Sequence, residues 1–172
     1  MEFSGKKVTV VGTGISGIGA VGLLNAVGAE VVLYDGNEKL KIEDIEKKLG
    51  TYKAEIVLGE LTKELTDSSD LLVISPGVPI DSPVVKAFEA AGVPVWGEVE
   101  LAYAFDKGKV LAITGTNGKT TTTALVGQIV GAYHKDTFVV GNIGNPYTTE
   151  VLKSNKDSYT VAEISSFQLE TV

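Results

Sequence analysis

Residues 110–123 limit the possible folds of this chain more than any other stretch, because they resemble a buried strand leading into a phosphate-binding loop. The apolar residues 110–113 are typical of an inner strand of a parallel sheet. Gly115 and Gly118 would let the backbone turn tightly, so that successive N–H groups face one anion. The next residues predict a helix, whose N-terminus favours phosphate. This order of elements predicts a nucleotide-binding α/β fold.

Two side chains in the loop carry chemistry of their own. Lys119 brings a mobile positive charge, and Thr120 offers a hydroxyl to a magnesium ion. The loop departs from the general pattern GxxxxGK[ST], because the first glycine would fall at Ile113. The shorter form TGTNGKT remains and predicts a nucleoside triphosphate site. The alternative is a glycine turn before an ordinary helix.

Composition excludes several classes of function. Hydrophobic residues make up 44% and charged residues 22% of 172 residues, as in an ordinary globular protein. No apolar run approaches the length of a membrane span, and no secretory signal is visible. The chain has no cysteine and a net charge of −7, which argue against disulfides and against a general nucleic-acid surface. We therefore expect a cytoplasmic protein that binds neither membrane nor nucleic acid.

Short β-branched runs alternate with helical stretches, which predicts an α/β fold with a mainly parallel, doubly wound sheet. A Rossmann-like domain is predicted over residues 1–97, a connecting helix and polar hinge over 98–109, and a truncated P-loop α/β domain over 110–172. The predicted strands are 7–11, 31–34, 55–58, 71–75, 93–96, 110–113, 137–140 and 159–164. The predicted helices follow the first glycine turn to about residue 28 and span 39–49, 82–92, 98–105 and 119–133, with another beginning at SSFQLE.

A second glycine-rich loop, GTGISG at residues 12–17, fits the pattern GxGxxG directly after the first strand. Asp35 follows the second strand, and in a dinucleotide fold the loop would bind a diphosphate and the acid a ribose hydroxyl. The alternative is that Gly17, Gly19 and Gly22 only let the helix pack closely, because each glycine in a helix costs about 1 kcal/mol against alanine. Both interpretations can hold together.

A third loop, SPGVP at residues 75–79, is predicted at the carboxyl end of its strand. Ligands of open α/β sheets bind in the crevice outside these carboxyl ends. A rigid turn before a helix capped by Ser82 explains the same residues equally well.

Several motifs together resemble the Mur ligase family: the two glycine loops, SPGVP, GNIGNP and AEISSFQLE. The resemblance covers essentially the whole chain. It implies an ATP-dependent amide ligase that extends the peptide of peptidoglycan precursors. Asn117 and the GTGISG loop separate the chain from other branches, and SSFQLE indicates the branch that adds D-glutamate to UDP-N-acetylmuramoyl-L-alanine.

The resemblance implies roles for individual residues. Lys119 would be catalytic by stabilising charge during phosphoryl transfer, and Thr120 and Glu163 would hold Mg²⁺. The ATP phosphates would be bound by Gly115, Thr116, Asn117, Gly118, Lys119, Thr120 and Thr121. The UDP-substrate would be bound by Gly14, Ile15, Ser16, Asp35, Gly36, Gly77, Asn142, Ser165 and Gln168. Family members commonly have a hydroxyl residue at the position of Gly36, so one side-chain contact is missing here.

Some residues have simpler interpretations. Glu163 follows an apolar strand, where an unpaired carboxylate is costly to bury, and magnesium would explain it; the alternative is a cap on the next turn. We expect His134 at the surface, Trp96 in packing, and Lys47 and Lys48 on a solvated helix face.

The resemblance implies that the intact enzyme is a monomer that uses ATP and Mg²⁺, with a D-glutamate site outside these 172 residues. The chain by itself would bind the UDP-sugar without ligase activity. Two alternatives remain open at this point, an NAD-dependent oxidoreductase and a P-loop nucleotide-binding module. Each would leave one of the two glycine loops unexplained.

Overall fold

The computed structural model describes residues 3–171 and contains two parallel sheets. Residues 1, 2 and 172 of the predicted domains lie outside this range. The first sheet has the order β3-β2-β1-β4-β5 and the second has the order β6-β8-β7. The strands are β1 (Lys7–Val11), β2 (Glu30–Asp35), β3 (Glu55–Leu58), β4 (Leu71–Ile74), β5 (Val95–Gly97), β6 (Lys109–Ile113), β7 (Thr137–Gly141) and β8 (Tyr159–Glu163). The predicted parallel α/β class is therefore confirmed.

Helices connect these parallel strands. They are α1 (Ile15–Ala26), α2 (Ile42–Leu49), α3 (Lys63–Ser68), α4 (Pro83–Ala90), α5 (Glu98–Tyr103), α6 (Lys119–Tyr133) and α7 (Tyr147–Glu150), with 3-10 turns at Val151–Lys153 and Gln168–Thr171. Because parallel strands need crossover connections, this alternation follows from the strand pairing.

The first sheet is covered on both faces. Val8 and Val10 point into one apolar cluster with Leu23 and Leu24 of α1. Leu72 and Phe88 belong to a separate cluster on the other side. Central strands covered on both faces consist of nearly continuous apolar residues, as β4 does, because neither side of the strand meets water.

The second sheet is smaller and more exposed. Its central strand β8 pairs with β6 and β7 in register, so that Ile113, Glu163 and Gly141 lie side by side at the carboxyl ends. The edge strand β6 is only partly covered, and Leu111 is 38% exposed. Leu125 and Ile129 of α6 are also exposed. A three-stranded sheet with one helix on its side has too little material to cover these apolar residues.

Several sequence predictions need correction. Helix α2 begins at Ile42 rather than at residue 39, and α3 and α7 were not predicted. Helix α3 is only six residues long and depends on Thr62, whose side chain accepts a hydrogen bond from the Leu65 N–H. Ser82 makes no side-chain cap, although Pro83 opens α4 as expected. Short helices escape periodicity arguments because they contain fewer than two apolar repeats.

The predicted polar hinge at residues 106–109 makes hydrogen bonds to distant parts of the chain. Asp106 Oδ2 accepts hydrogen bonds from Tyr147 Oη (2.6 Å) and Thr160 Oγ1 (2.7 Å), and Asp106 Oδ1 accepts one from the Gly108 N–H (2.7 Å). The Lys107 N–H donates to Ser154 Oγ. Tyr147, Ser154 and Thr160 are distant in sequence from the hinge, so local sequence does not reveal these bonds.

The close packing expected for the glycines of α1 is confirmed. A Cβ atom on Gly17 would collide with the Gly12 carbonyl, and one on Gly22 would meet the Tyr52 ring. A Cβ on Gly19 would lie 2.7 Å from Thr148 Oγ1 on α7. Helix α1 therefore packs closely against α7, a helix between two strands of the second sheet, at Gly19.

Candidate functional site

The loop after β6 turns as a phosphate loop requires. Gly118 has a φ of +76°, a left-handed conformation that disfavours side chains, and it directly precedes α6. Lys119 bends back so that its Nζ donates to the carbonyl of Gly115 at 2.7 Å. The loop residues from Gly115 to Gly118 are exposed, as is Thr120. These groups are free to meet a ligand from solvent.

Glu163 ends β8 beside this loop. Its side chain is 4% exposed, and its Oε2 atom has no hydrogen-bond partner among the described residues. Its register neighbours are Ile113, which leads into the phosphate loop, and Gly141, where a Cβ would collide with the Glu163 carbonyl. An unpaired buried carboxylate is costly, so the site fits a cation.

The donor set suits magnesium better than a metal held by protein alone. Within residues 3–171, no cluster of three or more His, Cys, Asp or Glu side chains could hold a metal ion. Magnesium commonly takes one or two protein ligands and completes its shell with phosphate oxygens and water. Glu163 and Thr120 could supply those protein ligands, and both assignments remain predictions.

The first glycine loop is built more tightly. The Ser75 side chain lies so close that a Cβ on Gly12 would be 2.8 Å from Ser75 Oγ. Asp35 Oδ2 accepts from the Thr13 N–H (3.3 Å) and from Thr13 Oγ1 (2.9 Å), and Asp35 Oδ1 accepts from the Asn37 N–H. Asp35 therefore holds the loop, and its carboxylate is already engaged by protein donors.

One groove brings together residues from both sheets. Its volume is about 510 Å³. Its lining is Gly14, Ile15, Ser16, Ser75, Pro76, Gly77, Gly141, Asn142, Gly144 and Pro146. Five of the predicted UDP-substrate residues, Gly14, Ile15, Ser16, Gly77 and Asn142, thus meet in one place. Asp35, Gly36, Ser165 and Gln168 are not part of this lining.

A second, smaller pocket of about 250 Å³ adjoins the groove and shares Ser75, Pro76 and Gly77 with it. Gln168 and Glu98 reach this pocket. Gln168 is also tied to Ser165, since the Ser165 N–H donates to Gln168 Oε1 at 2.8 Å. Gln168 is thus near the predicted substrate region, whereas Ser165 serves the turn after β8.

Glu98 is a buried acid that sequence reasoning missed. It is 4% exposed, and its Oε1 accepts from the N–H (3.0 Å) and Oγ1 (2.8 Å) of Thr148. Burial raises the pKa of the Glu98 carboxyl, and the two bonds from Thr148 oppose that rise. Glu98 begins α5 and Thr148 lies on α7, so the bond joins these two helices. Nothing in the local sequence marks an acid whose partner is 50 residues away.

Lys48 is exposed, as predicted for a solvated helix face. Its Nζ also donates to the carbonyl of Thr13 in the first glycine loop at 3.3 Å, a contact that the sequence did not reveal. Lys47 fits the prediction, with a side chain that is 77% exposed and paired with Asp44. The surface position of His134 and the packing role of Trp96 are confirmed, the latter by its contact with Phe3.

These features define a class of protein: two parallel α/β units, each with a glycine-rich loop at the carboxyl end of its sheet. Residues 6–97 match the Mur ligase MurD-like N-terminal domain, and residues 113–171 match the Mur ligase middle domain. The chain belongs to the Mur ligase family.

Two relatives of high sequence identity share one enzyme name within this family. The chain is 70% identical over 172 residues to the UDP-N-acetylmuramoylalanine–D-glutamate ligase of Lachnospira eligens, covering all of this chain and 38% of that protein. It is 58% identical to the ligase of the same name from Lachnoclostridium phytofermentans, with the same coverage. The chain thus spans about 38% of the length of these relatives.

Solved structures agree on the fold. A murein peptide ligase from Psychrobacter arcticus has a TM-score of 0.55 at 20% identity, over 95% of this chain and 39% of that one. A pseudomurein peptide ligase from Methanothermus fervidus has a TM-score of 0.51 at 25% identity, over 94% of this chain and 33% of that one. Within residues 3–171, no helix combines the length and apolar character that a membrane crossing needs.

Proposed function

We propose that this chain is the nucleotide-binding part of an enzyme that adds D-glutamate to UDP-N-acetylmuramoyl-L-alanine, with ATP as co-substrate. The observation that carries the proposal is the groove, where the first glycine loop meets Asn142 at the end of β7. The names of relatives that are 70% and 58% identical support the particular reaction. Its place in the cytoplasm and its action as a monomer are further parts of the proposal.

The distance from Asn142 to the phosphate loop suits such a substrate. Neighbouring strands are about 4.8 Å apart, so β6 and β7, on either side of β8, lie roughly 10 Å apart. The phosphate loop follows β6, and Asn142 follows β7. A UDP-sugar bound along the groove can therefore direct its carboxylate toward the phosphate loop.

In the proposed reaction, a carboxylate oxygen of the substrate attacks the γ-phosphorus of ATP, and the bond to the ADP oxygen breaks. The D-glutamate amine then attacks the acyl carbon, loses a proton, and inorganic phosphate leaves. Such transfer depends on positioning and on neutralising charge. Lys119 would leave the Gly115 carbonyl to contact the phosphates. Glu163 and Thr120 would hold Mg²⁺, which supplies charge neutralisation when bound.

The substrate contacts follow from the groove. Gly14, Ile15 and Ser16 would bind the diphosphate through backbone N–H groups at the start of α1, which is a favourable anion site. Gly77 and Asp35 would lie near the uracil, with Gly36 leaving room beside it. Asn142, Ser165 and Gln168 would contact the muramoyl part, and Gly115 to Thr121 the ATP phosphates.

We also propose that residues 1–97 form the UDP-binding domain, 98–109 the connection and 110–172 the first part of the ATP-binding domain. The D-glutamate site belongs to the rest of the enzyme. Residues 1–172 alone should therefore bind the UDP-sugar without ligating it. Melting curves with UDP-N-acetylmuramoyl-L-alanine, UDP and NADH test this, because a bound ligand raises stability by mass action.

We expect the two uridine ligands to raise the melting temperature and NADH to leave it unchanged. Stabilisation by NADH alone would favour an oxidoreductase. Stabilisation by ATP with no response to either uridine ligand would favour a simple P-loop module. Ligation by the isolated chain would contradict the assignment of D-glutamate to the remainder of the enzyme.

A further inference from the structure

The first glycine loop has a charge problem if it binds a diphosphate. Asp35 lies directly against Thr13 of this loop, with its carboxylate 2.9 Å from Thr13 Oγ1. A diphosphate at Gly14 to Ser16 would bring further negative charge close to this acid. Like charges at such range repel each other unless a cation lies between or beside them.

The chain can offer only lysine as a strong cation, because its 172 residues include no arginine. Of the lysines in the part of the chain that the structure describes, Lys48 is the one that bonds to residues 12–17. Lys119 belongs to the other loop, where its Nζ contacts the carbonyls of Gly115 and Thr116. Within the described residues, Lys48 therefore brings a positive charge into direct contact with the first loop.

The position of Lys48 is set by the fold. It lies in the last turn of α2, and the chain between β2 and α2 begins at Asp35. Its Nζ donates to the Thr13 carbonyl at 3.3 Å, and the Thr13 N–H donates to Asp35 Oδ2 at 3.3 Å. Thr13 thus contacts both a cation and an anion. An ammonium has three donors, so two remain for a ligand.

We propose that Lys48 is a binding residue for the diphosphate of the uridine nucleotide. This inference rests on the proposed function and adds to it a side chain 32 residues beyond Ser16. The ammonium would keep or exchange its bond to Thr13 and donate to a phosphate oxygen, which lysine binds as a point charge. It would also offset the charge of Asp35.

Lys47 provides a matched control. It is the preceding residue of α2 and has the same charge, but its Nζ pairs with Asp44 at 3.3 Å. Replacing either lysine with methionine keeps the length and the helix propensity of the side chain. A difference between K47M and K48M would therefore report position and not net charge.

The test is a ligand-observed NMR titration of the 172-residue chain with UDP and with uridine, for wild type, K47M, K48M and K48R. We expect K48M to bind UDP roughly two- to fivefold more weakly, the range of an exposed ion pair. Uridine affinity should be unchanged in K48M. K47M should match wild type for both ligands, and K48R should recover most of the UDP affinity.

Salt gives a second readout. The UDP affinity of wild type should fall more steeply with ionic strength than that of K48M, because partly exposed charges are screened. Equal UDP affinity of wild type and K48M would overturn the inference, and so would an equal loss for uridine or for K47M. If wild type itself does not bind UDP, the proposed function fails, which is a distinct result from failure of Lys48 alone.

Discussion

The two glycine loops of this chain differ in the contacts that hold them in place. The first loop is packed against Ser75, braced by Asp35 and followed by a helix whose glycines touch other segments. The second loop is exposed, and the hydrogen bonds of its lysine go to its own carbonyls. The first loop is therefore held by contacts with distant segments, whereas the second is stabilised by contacts within itself. A similar glycine pattern can thus specify two degrees of preorganisation.

The largest expected effect compares one glycine from each loop. G17A would drive a Cβ into the Gly12 carbonyl, and we expect it to lower the free energy of unfolding by about 3 kcal/mol or more. G118A meets no atom within 4 Å but must adopt a φ of +76°, so we expect a loss of about 1 kcal/mol. Urea unfolding of both variants measures the difference. Equal losses would contradict the contrast between the loops.

The next largest loss of stability is expected at Asp106, in the segment that connects the two sheets. D106A removes the acceptor of Tyr147 Oη and Thr160 Oγ1, and leaving these groups unpaired should cost about 2–3 kcal/mol. D157A, at an exposed site, is the control and should change stability by less than about 0.5 kcal/mol. Urea unfolding again provides the measurement. A small effect of D106A would show that these hydrogen bonds add little to the stability of the predicted hinge.

At the second loop, stability and function should separate. E163M replaces a buried carboxylate whose Oε2 has no partner among residues 3–171, so we expect the ligand-free chain to gain about 1 kcal/mol. The same variant should lose the magnesium dependence of ATP binding. Melting curves with ATP, with and without MgCl₂, measure both changes. A less stable E163M with intact magnesium dependence would show that Glu163 has a structural role.

The smallest expected effect is on the pH dependence of the free energy of unfolding, through the contact of Glu98 on α5 with Thr148 on α7. Because burial raises the pKa of Glu98 above its ordinary value of 4.5, the folded chain holds this proton to higher pH than the unfolded chain. The need to ionise the buried Glu98 therefore lowers the free energy of unfolding as pH rises from about 4.5 through the raised pKa.

E98Q keeps an acceptor for Thr148 but cannot ionise. Its stability relative to wild type should increase as pH rises through that window, as followed by urea unfolding at several pH values. E89Q removes one negative charge from the exposed surface of α4 and is the control. A stability difference between E98Q and wild type that does not vary with pH would show that Glu98 does not titrate there.

Sequence reasoning succeeded where a signal is local. The strand–loop–helix order around Gly118 and the steric need for glycine at Gly17 both follow from neighbouring residues, and the structure confirms both. It did not find partners that are distant in sequence. The hydrogen bonds from Tyr147 and Thr160 to Asp106, and the bond from Lys48 to Thr13, have no local sequence signal. The roles of individual residues toward ligands stay predictions.

By itself, the sequence determined the parallel α/β class and the two glycine loops, because hydrophobic periodicity and glycine placement act over a few residues. The ligase family was indicated by the resemblance of its motifs to known members. Only the tertiary structure decided that Asn142 meets Ser16 in one groove, that Glu98 bonds Thr148, and that Lys48 bonds Thr13. These contacts join segments tens of residues apart, so they exist only after the sheets have formed and packed together.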